Sequence, residues 1–242
     1  MSARFSVVSY NIHGCVGRDR ARDADRIARA IRTFAADIVG LQEVDTHAGP
    51  GLDSSQMDYL PHATGLHAAC GPVRARHHGH YGNLLLTPYP ILDVRHLDLR
   101  IGRYEPRGAL DVDVRLPHGV VRAVVTHLGL LPWERRAQLA QLLRALGPNP
   151  AGALVIMGDF NVWRPRSAAL RAWRQAFSAP EAPPTYPAFL PLLPLDRIFV
   201  SPADARVEIE TCSTALTRVC SDHLPLRARI TLPEPSPRSP PP

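Results

Sequence analysis

The segment VIMGDFNVW, Val155 to Trp163, sets an apolar run against two polar side chains. Four apolar residues, Leu154 to Met157, lead into a glycine, which reads as a buried strand reaching its end. Asp159 and Asn161 follow on either side of Phe160, where strands hand over to functional loops. Residues two apart on an extended chain leave the same face. The spacing therefore predicts Asp159 and Asn161 on one side and Phe160 buried on the other. Asp and Asn are also ordinary turn formers that cap backbone donors after a strand, so this segment alone leaves both readings open.

Outward from it, apolar periodicity alternates between strands and a few helices. RFSVVSYN, DIVGLQEV, YGNLLLT, ILDVRHLDL, GALDVDVRL, VVRAVVTHL, LDRIFVS, RVEIETC and PLRARITL read as strands. DADRIARAIRTFAA, WERRAQLAQLLRAL and RSAALRAWRQAF read as helices, the first with Ile27, Ile31 and Phe34 at helical spacing behind acidic residues. Consecutive strands favour antiparallel pairing, in two sheets or one large sheet covered by helices. With 45% apolar residues in 242, a substantial core is within reach. One domain over residues 1–232 is expected. The following PEPSPRSPPP, residues 233–242, is too rich in proline and too poor in apolar residues to fold.

All 28 basic residues are arginine, which excludes Schiff-base chemistry, the P-loop lysine and the kinase lysine. Arginine binds phosphate bidentately and stays charged, so the net charge of +6 suits a phosphorylated or polyanionic partner, nucleic acid among the candidates. A compositional bias that replaces lysine by arginine throughout also accounts for it. No stretch approaches a membrane span and MSARFSVVSYN lacks a signal-peptide profile, so a cytoplasmic location is expected. Cys15, Cys70, Cys212 and Cys220 lack metal-finger spacing and are expected to be reduced and mostly buried. No feature names a partner protein, and a monomer is expected.

Other strand ends repeat the pattern of the first. Asn11 closes SYN, Glu43 closes LQEV, His127 closes VVTHL, Asp196 precedes RIFV, and Asp222 and His223 stand in SDHLPL. Any one of these is explained by capping or turns. Six strand ends carrying acids, amides and imidazoles point instead to convergence on one cleft.

In order, SYNIH, LQEV, YGNLLLT, EPRGAL, THL, GDFN, TYP, LDRIFV and SDHLPL resemble the endonuclease/exonuclease/phosphatase family over almost the whole chain, Phe5 to about Leu232. The resemblance implies a four-layer α/β sandwich, two mixed and mostly antiparallel sheets packed face to face with helices outside. It also implies a magnesium- or manganese-dependent phosphoesterase. Cleavage of a phosphodiester by a nuclease or phosphodiesterase is the leading expectation, with lipid headgroups or small phosphate esters as the alternative. A non-catalytic binding module on the same fold is more remote, because Glu43, Asp159, Asn161, Asp196 and His223 are all present.

Phosphoester hydrolysis needs a cation against the phosphate charge, an activated water in line with the leaving oxygen, and help for that oxygen. Glu43 is a hard oxygen donor suited to Mg²⁺ or Mn²⁺. By resemblance it is the metal ligand, with Asn11 nearby and Asp222 joining the shell. The resemblance further implies that Asp159 positions or deprotonates the water while Asn161 holds it or a phosphate oxygen, and that His223 donates to the phosphate or moves a proton. Asp196 is placed to orient His223, and a carboxylate behind an imidazole fixes its tautomer and favours the cation. His127 falls where pancreatic-type nucleases carry a second catalytic histidine paired with Glu. HYGNLLL offers Asn83 there and no acid, so Asn83 is a candidate to orient that imidazole or touch substrate. Arg107 is a candidate phosphate fork, with an ion pair to Glu105 as the alternative. His77, His78 and His80 read as a solvated loop, and Phe189, Leu190, Leu192 and Leu193 of PAFLPLLPL are expected to pack on the sheet edge rather than face lipid.

Overall fold

The segments that alternate in the sequence pair into two sheets. In a computed structural model, residues 3–46, 55–72, 81–147, 152–164 and 167–234 are described. The strands are β1 (Arg4–Asn11), β2 (Ile38–Asp45), β3 (His67–Pro72), β4 (Tyr81–Thr87), β5 (Ile91–Asp98), β6 (Gly108–Leu116), β7 (Gly119–His127), β8 (Ala153–Asp159), β9 (Asp196–Ser201), β10 (Arg206–Thr211) and β11 (Leu226–Thr231). The helices are α1 (Ala24–Phe34), α2 (Gln56–Thr64), α3 (Pro132–Leu146), α4 (Arg171–Ala176) and α5 (Thr217–Cys220). One sheet has the order β10-β11-β1-β2-β4-β3 and the other β5-β6-β7-β8-β9.

Two pairs, β1 with β2 and β7 with β8, run parallel and the others antiparallel. Each parallel pair is joined through a helix, α1 in the first and α3 in the second. Ligands of α/β sheets gather beyond the carboxyl ends of parallel strands, and here those ends carry Asn11, Glu43, His127 and Asp159.

The layers follow from strands buried on both faces. Val7, Ile38, Leu85, Val112, Val125, Met157 and Ala228 fill the space between the sheets. Val8, Tyr10, Leu41 and Leu84 point outward onto Ile27, Ile31, Phe34 and Leu60 of α1 and α2. On the opposite side Val124, Ile156, Phe160 and Phe199 pack on Leu139 and Leu142 of α3 and Trp173 of α4. That arrangement is the expected four-layer sandwich. Phe160 is fully buried, with ring centroids 5.9 Å from Trp173 and 5.3 Å from Phe199. Each such pair adds about 1 kcal/mol beyond the area buried.

Two glycines mark close approaches. A Cβ on Gly40 would lie 2.8 Å from Val125 Cγ2 and 2.9 Å from Met157 Sδ, across the gap between the sheets. A Cβ on Gly158 would lie 1.8 Å from the Thr126 carbonyl oxygen, at a φ of +154° that side chains avoid.

Some elements depart from the sequence expectation. The predicted helix RSAALRAWRQAF shrinks to a 3-10 turn at Ala168–Leu170 and the short α4. Helix α2, strand β3 and α5 were not expected; α2 contains Pro61 and β3 reads HAACGP, without apolar alternation. All four cysteines are free and Cys70 is exposed rather than buried. Phe189, Leu190 and Leu192 are exposed rather than packed on the sheet edge, and Leu193 is half-buried in a bridge with Tyr186. His77, His78 and His80 lie outside the described residues, as does most of the proline-rich tail.

Candidate active site

Where β2 carries Glu43, its ladder with β4 breaks register: Leu41 faces Leu84, yet Val44 already faces Gly82. The extra residue is a β-bulge, a device that re-aims side chains at sheet rims, and Glu43 takes a left-handed φ of 54° there. Backbone strain of that kind costs about 1–3 kcal/mol and persists where the surroundings enforce it. The result is that Glu43 Oε1 meets Asn11 Nδ2 at 2.8 Å.

Asn11 is the bridge between the sheets. Its Nδ2 also donates to Asp159 Oδ2 at 3.2 Å, across from β1 to β8, while its Oδ1 accepts from the His13 amide. Ser221 Oγ holds the Asn11 carbonyl at 2.8 Å and accepts from the His223 amide. Asn11, Asp159, His127 and His223 are buried, whereas the Glu43 side chain keeps 27% exposure. A solvent-reachable carboxylate thus stands over a buried polar floor.

Asp159 does both things the sequence left open. Its Oδ1 accepts from the Asn161 amide at 2.8 Å, a turn-forming contact. Its Oδ2 faces the cleft, 3.5 Å from His127 Nε2 and 3.7 Å from His223 Nε2. Burial is the main cause that pushes the Asp159 carboxyl up to about 6, with the His223 charge pulling the other way. Asn161 reaches the site not by strand alternation but through a left-handed turn, φ 52°. Its Nδ2 donates to the Leu128 carbonyl at 2.8 Å and stands 3.2 Å from His127 Nε2.

His223 Nδ1 lies 2.9 Å from Asp196 Oδ2, so the expected carboxylate–imidazole pair is formed, wholly buried on the carboxylate side. Burial by itself favours the neutral ring, but the attraction and hydrogen bond of Asp196 outweigh it and raise His223 to about 10. The same Asp196 oxygen accepts from Thr185 Oγ1 at 2.5 Å, and Tyr186 packs its ring 5.0 Å from the imidazole. Thr185, Tyr186 and Ser221 received no site role from the sequence. The only signal for the first two is their place in TYP, for the third its place before Asp222.

The second histidine is held differently. His127 Nδ1 meets Arg107 Nη1 at 3.1 Å, and Arg107 Nη2 donates to Glu105 at 2.8 Å. A guanidinium has only donors, so Nδ1 accepts and the neutral ring carries its proton on Nε2, toward Asp159, while the Asn161 side-chain amide nitrogen, itself a donor, bonds the Leu128 carbonyl instead. Burial first, then the Arg107 charge, holds His127 well below the usual histidine range. Both terminal nitrogens of Arg107 therefore have partners, and the Glu105 ion pair is formed, while its buried Nε has none. Asn83 does not reach the imidazole; its Nδ2 donates to the Gly108 carbonyl at 3.1 Å, and it lines a cleft with Glu43, Arg107 and His127.

Asp222 stands beside His13 and Ser221. Its Oδ1 is 3.8 Å from His13 Nδ1 and 3.3 Å from Ser221 Oγ. Among the described residues no three His, Cys, Asp or Glu side chains gather to hold a metal. Magnesium and manganese ordinarily take one or two carboxylates and complete their shell with water; the Glu43 carboxylate at an open rim fits that habit, while buried Asn11 turns its Nδ2 to Glu43 and its Oδ1 to the His13 amide.

Two α/β layers packed sheet to sheet and joined at a seam of acids, amides and imidazoles define an α/β-sandwich protein with a hydrolase-type polar cleft. The chain belongs to the endonuclease/exonuclease/phosphatase family, whose model matches residues 8–223. Members of that family are hydrolases acting on phosphoesters. The uncharacterized protein YbhP of Escherichia coli strain K12 is 33% identical over 249 aligned residues, 94% of this chain and 96% of YbhP. A crystal structure of an endonuclease/exonuclease/phosphatase from Beutenbergia cavernae is 26% identical with a TM-score of 0.76, over 95% of this chain and 72% of that one. The mannosyl-6-phosphatase of Bacteroides thetaiotaomicron has the same fold at 18% identity, TM-score 0.71, over 93% of this chain and 99% of its own. Among the described residues no helix is long and apolar enough to cross a membrane.

Proposed function

We propose that this chain is a magnesium- or manganese-dependent phosphodiesterase that hydrolyses its ester by in-line attack of water. The observation that carries the reading is the single atom Asp159 Oδ2, which faces Asn11, His127 and His223 at once. A divalent cation held by Glu43, with Asn11 beside it, would neutralise phosphate charge.

The protein's own groups divide the remaining work. Asp159, raised to about 6, is ionised at neutral pH yet basic enough to orient the attacking water and accept its proton on Oδ2. His223, kept cationic by Asp196, offers Nε2–H to a phosphoryl oxygen or to the departing alkoxide. His127, neutral with its proton on Nε2, is a second donor to phosphate that does not compete as a base. Asn161 fixes the carbonyl of Leu128 and thereby the position of the His127 loop. One domain spanning residues 1–232 carries all these groups, and the expected monomer needs no second copy to complete them.

The test is turnover of bis-p-nitrophenyl phosphate and p-nitrophenyl phosphate by purified protein with Mg²⁺ or Mn²⁺, beside His223→Ala. A diester activity that depends on His223 supports the reading. Preference for the monoester would move the protein to the phosphatases, and no turnover of either ester, or of DNA, RNA or phospholipids, would overturn it.

A further inference from the structure

Twelve large hydrophobic side chains are exposed among the described residues, and ten of them stand at one end of the sandwich. Leu92 and Val94, on the edge strand β5, are the exceptions. The ten flank the cleft. Tyr104, Leu130, Leu131, Trp133 and Trp163 lie on the side of His127 and Asp159, and Phe189, Leu190, Leu192 and Val219 lie beside Asp222 and His223. Tyr81 opens β4 opposite Asp45, near Glu43. Leu130 is 68% exposed, Leu192 65%, Leu190 57% and Trp163 52%. Apolar surface concentrated in this way on one face marks an interaction site.

Arginines are interleaved with these side chains. The Arg18 guanidinium sits 4.6 Å over the Phe189 ring, and Arg164 sits 5.3 Å from the centre of Trp163. Arg218 reaches the Phe189 carbonyl. Two nearby acids are engaged, Asp19 with Arg26 at 2.6 Å and Glu105 with Arg107 at 2.8 Å, while Asp222 stays partly exposed 3.8 Å from His13. A cavity of about 220 Å³ runs from His13 and Asp222 to Arg18, Arg218 and Phe189, joining the rim to the site.

We propose that this end of the molecule docks on an anionic phospholipid surface, its leucines and aromatics entering the headgroup layer and its arginines pairing with lipid phosphates, so that the phosphoester cleaved is a lipid headgroup. The proposal rests on the phosphoesterase reading and names its substrate class. Aliphatic side chains decide between partners. Nucleic acid stacks on aromatics and pairs with arginine, and its interfaces are polar and positive. Leu130, Leu131, Leu190, Leu192 and Val219 gain nothing there, yet are what an interfacial surface inserts beside its cations. A second copy docked on the same face would set Arg18, Arg164 and Arg218 against their own kind.

The full chain is sedimented with vesicles of phosphatidylcholine alone and of phosphatidylcholine mixed with phosphatidylglycerol, with and without high salt. Expected are binding to the mixed vesicles, loss at high salt, and a blue shift of tryptophan emission from Trp133 and Trp163. Leu190→Ser with Leu192→Ser should weaken the vesicle partition by about a hundredfold, the lower end for two leucines withheld from an apolar medium. Its melting temperature checks folding, and Arg18→Glu, placed on the surface, gives an independent loss. No vesicle binding, or binding indifferent to both variants, would overturn the proposal. So would single-stranded DNA binding that the same variants abolish, or a dimer that the leucine variant dissociates. Hydrolysis of bis-p-nitrophenyl phosphate in the absence of vesicles is measured separately. Vesicle binding without it, and without release of phosphorylated headgroup from the vesicles, would sink the phosphoesterase reading while leaving the docking surface, and hydrolysis without vesicle binding would sink the docking surface alone.

Discussion

Arg107 stands against the Nδ1 atom of His127, its Nη1 donating at 3.1 Å, where the other imidazole of the site has a carboxylate. The two histidines are thus poised in opposite states, one pressed neutral by burial and a guanidinium, the other held cationic by Asp196. Environments that push like groups apart assign different proton roles to them.

Arg107→Met should release His127. Burial still lowers its pKa, but the second cause is gone, so the ring titrates at higher pH in an NMR titration than it does in the parent. The rate should fall by about tenfold, less than the roughly hundredfold or more of losing a proton-donating group outright, because the imidazole itself remains. An unchanged titration together with an unchanged rate would leave Arg107 as no more than a partner for Glu105.

Asp159→Asn should lower the rate by about two orders of magnitude, the scale of losing a general base. Its amide oxygen can still accept from the Asn161 amide, so the turn survives and the melting temperature should hold. Asp159→Ala removes the acceptor as well and should cost about 1 kcal/mol of stability, as a lost cap does. If the Asn variant melts as low as the Ala variant, the charge is structural and the catalytic role fails.

The pH profile follows from two raised groups. Activity requires Asp159 ionised and His223 protonated, so the rate should rise through pH about 6 and fall through about 10. Asp196→Asn removes the main support of the His223 cation and should draw the alkaline limb to lower pH. His223→Ala should cost more than Asp196→Asn, and the double variant should cost little more than His223→Ala, since the two act as a unit. Stability of the metal-free protein has its own sign. His223 binds its proton more tightly folded than unfolded, from an ordinary value of 6.5 up to about 10. That contribution is full below pH 6.5 and is lost as pH rises through 10. Melting temperatures across that window should fall, and His223→Ala should flatten the slope.

Glu43→Gln keeps the shape and removes the charge. Metal affinity measured by calorimetry with Mn²⁺ should drop by at least about tenfold and the rate with it, while the melting temperature of the metal-free protein stays close to the parent. Full activity of this variant in chelator-treated buffer would end the assignment of Glu43 to the metal.

How much of this was legible depended on the physics behind each element. Strands β1 and β4 were read with their true bounds because both faces are buried and the apolar runs end abruptly at Asn11 and Thr87. Helix α2 hides Pro61 in its body and shows only Met57 and Leu60 as buried apolars, too few to make a stripe. Of the site, the residue types were readable but not the partners. Asp196 and His223 are separated by 27 positions and meet as expected. The link of Arg107 to His127 depends on the β6–β7 ladder, in which Ala109 faces Thr126, and no local pattern announces it. Asp159 and Asn161 were expected on one face by alternation. They do converge, but through a left-handed turn, because Asp159 Oδ1 draws the chain back on itself.

Asn11 and Glu43 belong to one sheet and His127 and Asp159 to the other, so the spacing of the reacting groups is set by the thickness of the sandwich filling. Gly40, with Val125 and Met157 pressed against it, acts as a shim between the plates. The ruler of this cleft lies in the hydrocarbon beneath it. Adding or removing a methyl there, out of sight of any substrate, would retune the separation of the proton acceptor from the metal-side carboxylate before the fold itself gave way. Selection acting on catalytic precision would then leave its record in buried aliphatic volumes as much as in the polar residues at the rim.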